Sequence, residues 1–317
     1  MRSISPDFHR RSFLAAGLAA MSATGASAAQ PFFKRHGLPL GIQLYTLGPD
    51  AVKDLDGTLS AVAAIGYKQV ELAGFLGRTP AEMRAALDRA GLACVSAHIQ
   101  GRAAGPDGGL DGDLDKLAAG LKTIGVQTAV MPSLYVPKRF SINAGEGFGA
   151  YLRRMAGELT ADDWKMNADF LNQKGAALKA HGIRTGYHNH NFEFSPLGAT
   201  NGLEILLKNT DPALVTFEMD IGWVAAAGAD PLALLRAHKG RFSMAHVKDI
   251  KADTTPNFAL AMDPAEIGSG KLDWKTLLPT AYAAGVRGFY VEQEPPFTRP
   301  RIEAAKISYD YLASVVA

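Results

Sequence analysis

The chain has 317 residues, of which 47% are hydrophobic and 20% charged, and its formal net charge is +2. That is the composition of a globular protein with enough core for one barrel or two smaller domains. The charge is too small, and Lys and Arg too dispersed, to form a phosphate-binding stripe, so nucleic acid is not an expected partner. The single cysteine, Cys94, excludes an internal disulfide and a multi-cysteine zinc site. Any metal must therefore be held by His and carboxylates.

The first thirty residues stand apart. Arg10 and Arg11 precede Ser12-Phe13-Leu14, an Ala/Leu/Gly-rich run follows to Ala20, and Ala26-Ser27-Ala28 supplies small residues for cleavage. The layout resembles a twin-arginine signal peptide. Its apolar run is too short and too rich in Ala and Gly for a membrane span. The expectation is a leader over residues 1–30, export of a folded protein to the periplasm or medium, and no membrane association afterwards. Residues 31–317 then form one catalytic domain, with homo-oligomerisation left open.

From Leu38 onward short apolar runs alternate with amphipathic stretches. The strand-like runs are Leu40–Tyr45, Gln69–Leu72, Ala93–His98, Gln127–Pro132, Ile183–His188, Leu214–Asp220, Phe242–Lys248 and Gly288–Glu292. Between them the spacing predicts helices over Leu59–Ile65, Pro80–Ala90, Leu114–Ile124, Asp162–His181, Gly202–Leu207, Pro231–His238, Trp274–Ala284 and Ile302–Val315. Gly66, Gly91, Gly125, Gly182 and Gly285 each sit between a helix and the next strand, where a short connection needs a left-handed residue. Eight such units fit a (β/α)8 TIM barrel. A doubly wound open sheet is the runner-up, weakened because no Gly-x-Gly-x-x-Gly turn follows the first strand. Residues 133–160 break the rhythm and read as a long loop or lid insertion.

In a TIM barrel the chemistry lies at the C-terminal strand ends. Side chains alternate between faces with period two. On the sixth strand Val215, Phe217 and Met219 suit the outer helices, which turns Thr216, Glu218 and Asp220 inward. The same alternation turns His188 and His190 inward on the fifth strand, His246 and Lys248 on the seventh, and Tyr290 and Glu292 on the eighth. Four adjacent strands thus bring His188, Asp220, His246 and Glu292 toward one point. Each residue alone reads as a hydrogen-bonded structural group. Together they form a donor set for one divalent ion: Mn, Co, Fe, Ni, Zn or Mg. Buried carboxylates without a cation would be costly, and Lys248 alone cannot neutralise them.

These residues carry a resemblance. Gly41-Ile42-Gln43-Leu44-Tyr45, Tyr187-His188-Asn189-His190-Asn191-Phe192-Glu193-Phe194, Phe217-Glu218-Met219-Asp220-Ile221-Gly222-Trp223, His246-Val247-Lys248-Asp249 and Val291-Glu292-Gln293 resemble the xylose isomerase-like TIM-barrel superfamily. That sugar phosphate isomerase/epimerase group includes inosose dehydratases, tagatose epimerases and endonuclease IV. The resemblance implies a metal held by Glu, Asp, His and Glu on strands five to eight. The last three fall on Asp220, His246 and Glu292, while His188 stands where the family has its first Glu. Glu193, just past strand five, is an alternative fourth ligand. Epimerases of the group use two Glu residues as the acid/base pair, and only Glu292 is in place here. At strand five the chain is more similar to the inosose dehydratases.

The leading expectation is a metal-dependent sugar isomerase or epimerase acting on a keto-sugar by α-proton abstraction and a stabilised enediolate. The alternative is a lyase performing β-elimination on a 3-keto-glycoside or inosose-like substrate. A non-catalytic sugar-binding barrel is the reading from another class. Glu292, His190 and Lys248 are the catalytic candidates. Tyr45, Glu71, His98, Glu218 and Trp223 are the substrate-binding candidates, and a small-molecule sugar is the expected partner. Lys248 has a second reading, as a structural ion pair with Asp249 or Glu218. Gly268-Ser269-Gly270 reads as a flexible turn and not a phosphate loop.

Overall fold

The computed structural model describes residues 30–102 and 108–317. The expected signal peptide falls outside these, Gln30 apart. Eight parallel strands close into a barrel: β1 (Gly41–Gln43), β2 (Gln69–Ala73), β3 (Ala93–His98), β4 (Thr128–Met131), β5 (Arg184–His188), β6 (Val215–Asp220), β7 (Phe242–Val247) and β8 (Gly288–Val291). Each pairs with its neighbour in sequence, and β1 pairs with β8 to complete the (β/α)8 fold. Among the described residues no helix is long and apolar enough to cross a membrane.

Helix Leu114–Ile124 shows how the sequence builds one unit. Asp113 caps it by accepting a hydrogen bond from the Lys116 amide at 3.0 Å. Leu117, Ala118, Leu121 and Ile124 recur at helical spacing and are buried. Burial of each large one contributes about 1.5–3 kcal/mol. The helix stops at Gly125, whose φ of 102° lets the chain turn directly into β4. The other four helix–strand glycines, Gly66, Gly91, Gly182 and Gly285, also have positive φ.

The barrel interior is filled in layers. Near the floor Thr216 Oγ1 donates to Ser243 Oγ at 2.8 Å. Above, Tyr290, Met244 and Val130 pack together. Gly41 admits the Tyr290 ring, because a Cβ there would lie 2.5 Å from Tyr290 Cδ1. The top layer is polar and forms the site.

Two parts differ from the sequence expectation. The first strand ends at Gln43, and Leu44–Leu47 form a 3-10 turn because the Gln43 side chain accepts a hydrogen bond from the Tyr45 amide at 3.1 Å. The insertion is not all loop: Phe148–Glu158 is helical, which Gly149 and Gly157 disguise in the sequence. It is tied to the next helix, Ala161–Ala180, by Arg139, which donates to both carboxylate oxygens of Asp163. Asp163 also closes a capping box with Thr160, and the Arg139 guanidinium, with the Thr160 hydrogen bonds after it, holds its carboxyl down at about 2.

Candidate metal centre and pocket

His188, Asp220, His246 and Glu292 offer donor atoms that all lie within 4.8 Å of one another. All four are buried. Asp220 Oδ2 stands 3.8 Å from His188 Nε2 and 3.7 Å from His246 Nδ1, and Glu292 Oε2 stands 2.8 Å from His246 Nδ1. Donors about 2.1 Å from one ion are roughly 3–4 Å apart, so the spacing fits a divalent cation. Asp220 supplies a further sign. Its Oδ1 caps the short helix Ile221–Ala226 by accepting from the Trp223 amide at 2.8 Å, which aims Oδ2 inward among the two imidazoles and the Lys248 ammonium.

The other ring nitrogens are held from below. Glu218 Oε2 lies 3.2 Å from His188 Nδ1 and 3.1 Å from His246 Nε2, and Glu71 Oε2 lies 2.7 Å from His246 Nε2. Carboxylates behind both imidazoles orient the rings so that His188 Nε2 and His246 Nδ1 face Asp220 and Glu292, the side on which an ion would be held. Glu71 is held in turn by Gln43 Nε2 at 2.9 Å and by the Ser96 hydroxyl. His98 Nε2 lies 2.9 Å from Glu218 Oε2. His98, His188, Glu218 and His246 form a second, deeper donor group that shares two imidazoles with the first. Its contacts are hydrogen-bond distances from three ring nitrogens to one carboxylate oxygen, which suits a supporting network.

Electrostatics follow from this crowding. Burial, then the His246 charge, lowers His188 to about 4 and keeps it a neutral ligand at pH 7. Burial also opposes charge on His246, but Glu218 and Glu292 outweigh it and raise its pKa well above the usual value. Burial likewise opposes charge on Lys248, and Asp220, Glu292 and Glu294 outweigh it. Lys248 Nζ sits 2.7 Å from Asp220 Oδ2, 2.7 Å from Glu292 Oε2 and 3.1 Å from Glu294 Oε1. Gly222 makes room for its stem, since a Cβ there would lie 2.6 Å from Lys248 Cγ. This geometry holds Lys248 as a buried cation among three carboxylates. Its partners are Asp220, Glu292 and Glu294, not Asp249 or Glu218.

A cavity of about 660 Å3 opens above the donors. Tyr45, His98, His188, His190, Trp223, Glu292 and Glu294 line it. Tyr45 is 45% exposed and stands at the mouth. Glu71 and Glu218, expected to meet substrate, are fully buried beneath the donors, because they sit one inward position deeper along their strands. Glu193 is outside both donor groups. It accepts from Tyr187 Oη at 2.7 Å and from the His190 amide at 2.9 Å, and so positions His190. Burial pushes its carboxyl up to about 8.

The sequence reading did not assign Glu294, although it lies two residues past Glu292 and so on the same side. Asp249 was likewise missed as an organiser. It accepts from the Ile250, Gly268 and Leu272 amides and from Trp274 Nε1, at 2.9 to 3.2 Å. The Gly268-Ser269-Gly270 turn therefore wraps an internal carboxylate.

Known proteins place this architecture. The chain is 27% identical over 154 residues to an inosose dehydratase of Geobacillus thermodenitrificans, covering 44% of this chain and 51% of that one. The chain thus matches about half the length of that relative. An inosose dehydratase of Geobacillus kaustophilus is 24% identical over 279 residues, 82% of this chain and 87% of that one. The crystal structure of a sugar phosphate isomerase/epimerase from Parabacteroides distasonis superposes with a TM-score of 0.66 at 26% identity, covering 93% of this chain and 98% of that one. Residues 59–315 match the sequence model of the xylose isomerase-like TIM barrel, and the chain belongs to that family.

Proposed function

We propose that the protein is a metal-dependent lyase that eliminates the β-substituent from a keto-sugar or keto-cyclitol. The observation that carries this reading is the asymmetry of the acid/base groups. Glu292 and Glu294 are the carboxylates lining the cavity among the described residues, and both lie at the end of β8. The position on β5 that would face Glu292 across the mouth holds His188, whose Nδ1 is engaged by Glu218. Elimination needs one base and a route for a proton to the departing oxygen, whereas two-Glu epimerisation needs a second carboxylate on the opposite side. The similarity to inosose dehydratases supports the same choice over the isomerase or epimerase expected first.

His188, Asp220, His246 and Glu292 would hold a divalent ion, which would supply Lewis-acid stabilisation of negative charge on a keto oxygen. Glu292, kept ionised by Lys248 and His246, takes the α-proton. The electron pair of that C–H bond forms the new C=C bond as the β C–O bond breaks. His190, held neutral by burial, offers a ring N–H to the departing oxygen. His190 stabilises that oxygen by hydrogen bonding and stays neutral, while the proton taken up by Glu292 is passed to it, which leaves Glu292 ionised again; the products are an α,β-unsaturated ketone and water or an alcohol. Trp223 and Tyr45 flank the ring of the sugar.

The test is NMR of the metal-loaded protein with inososes and 3-keto-glycosides in deuterated water. The expected result is vinylic signals of an unsaturated ketone together with exchange at the carbon beside the carbonyl. Exchange without any elimination product would return the assignment to an isomerase or epimerase. No exchange with any keto-sugar would remove both. Glu292→Gln is expected to lower exchange by about 10²–10⁴-fold.

A further inference from the structure

The cavity volume of about 660 Å3 lies in the range of pockets that enclose ligands larger than one sugar ring, roughly 300–1,000 Å3. The polar donors occupy its base. Gln100 and Ser133 line the cavity on one side, and one wall is apolar: Leu152 from helix Phe148–Glu158 with Leu260, Ala261 and Met262 from the segment after β7. A bare polyhydroxylated ring filling this space would set hydroxyls against that wall, whose side chains offer no hydrogen bond.

The apolar wall is built, not incidental. Leu260 has φ 55°, a region sparsely populated for leucine. The conformation is imposed by side-chain amides. The Leu260 amide donates to Asn191 Oδ1 at 3.1 Å, and Asn191 Nδ2 donates to both the backbone and side-chain oxygens of Asn257 at 2.9 Å. The Ala259 amide also donates to Asn257 Oδ1 at 2.9 Å. Asn191 directly follows His190, so one asparagine couples the apolar wall to the pocket-lining histidine. Met262 packs on the cluster that contains Trp223.

We propose that the pocket takes a glycoside with an apolar aglycone, and that Leu152, Leu260 and Met262 are its aglycone-specificity residues. This rests on the keto-glycoside form of the reading above, in which the group expelled at the β-position is the aglycone alcohol.

The experiment is calorimetric binding of the metal-loaded protein to glucose and to methyl, phenyl and naphthyl β-glucosides, which lack the keto group and so bind without reacting. Affinity is expected to rise along that series, by about ten-fold or more from methyl to phenyl. Leu152→Ala, Met262→Ala and Leu260→Gly, the last compatible with the left-handed backbone, are each expected to shrink the phenyl-to-methyl ratio. A flat series, no binding by any member, or an aryl preference untouched by all three substitutions overturns the proposal. The two readings fail separately. A flat series with elimination of keto-sugars intact removes the aglycone site alone, and a rising series with no proton exchange removes the lyase alone.

Discussion

The Nε2 atom of His246 lies 2.7 Å from Oε2 of Glu71, on the opposite side of the ring from the donors that face the pocket. Glu71 therefore acts through the imidazole, holding its orientation and raising its basicity. Glu71→Gln keeps the shape but removes the charge. It is expected to weaken divalent-metal affinity by about 10–100-fold, measured by competition with a chromogenic chelator. An unchanged affinity would show that Glu71 belongs only to the barrel core.

Lys248 bridges Asp220, Glu292 and Glu294 with no exposed surface of its own. Removing it leaves buried carboxylates facing one another. Lys248→Met is expected to destabilise the metal-free protein by about 3–5 kcal/mol in denaturant titration. An added divalent ion supplies positive charge at the same carboxylates. The rise in melting temperature on metal addition is therefore expected to be larger in Lys248→Met than in the wild type. An equal rise would separate the lysine from the metal centre.

Much of this was legible in the sequence, because direction across a strand follows from alternation. Val215, Phe217 and Met219 facing out require Glu218 and Asp220 to face in, and the structure has that parity. Helices Pro80–Ala90, Leu114–Ile124 and Trp274–Ala284 have the predicted bounds, since a cap or a terminal glycine marks their ends. Alternation does not report depth. Glu218 and Asp220 share a face, yet one lies beneath the imidazoles and the other beside them, and only the stagger of strands around the barrel decides which. Leu152, Leu260 and Met262 were invisible for other reasons: Leu152 lies on a helix that Gly149 and Gly157 disguise, and Leu260 and Met262 reach the cavity from a connecting segment whose path no periodicity encodes.

Glu193 gives a pH dependence of stability with a definite sign. Burial raises its folded pKa from 4.5 to about 8, while it accepts from Tyr187 Oη and the His190 amide. The folded state therefore binds this proton more tightly than the unfolded chain does. The contribution is fully present below about pH 4.5 and is lost as the pH climbs through about 8. Glu193→Gln, isosteric with the neutral acid, is expected to remove that slope. Denaturant midpoints of the two proteins should diverge in favour of the variant as the pH rises from about 5 to about 8. Parallel profiles would mean that Glu193 titrates normally in the folded protein.

Asp249 and Gly270 supply a test that leaves every pocket residue in place. A Cβ on Gly270 would lie 2.1 Å from Asp249 Oδ1 and 2.5 Å from the Ile250 carbonyl oxygen. The backbone oxygen cannot move aside as a flexible side chain would, so the turn must open and release the amides that Asp249 gathers. Gly270→Ala is expected to cost about 2–4 kcal/mol in denaturant unfolding. Asp249→Asn retains the shape and one acceptor but loses the charge that several donors share. It is expected to cost less, about 1–3 kcal/mol. Hydrogen exchange distinguishes this account from a general loss of stability: the Gly268 and Leu272 amides should lose protection before the β7 amides do. Simultaneous loss across the barrel would mean that the turn is not an independently held unit.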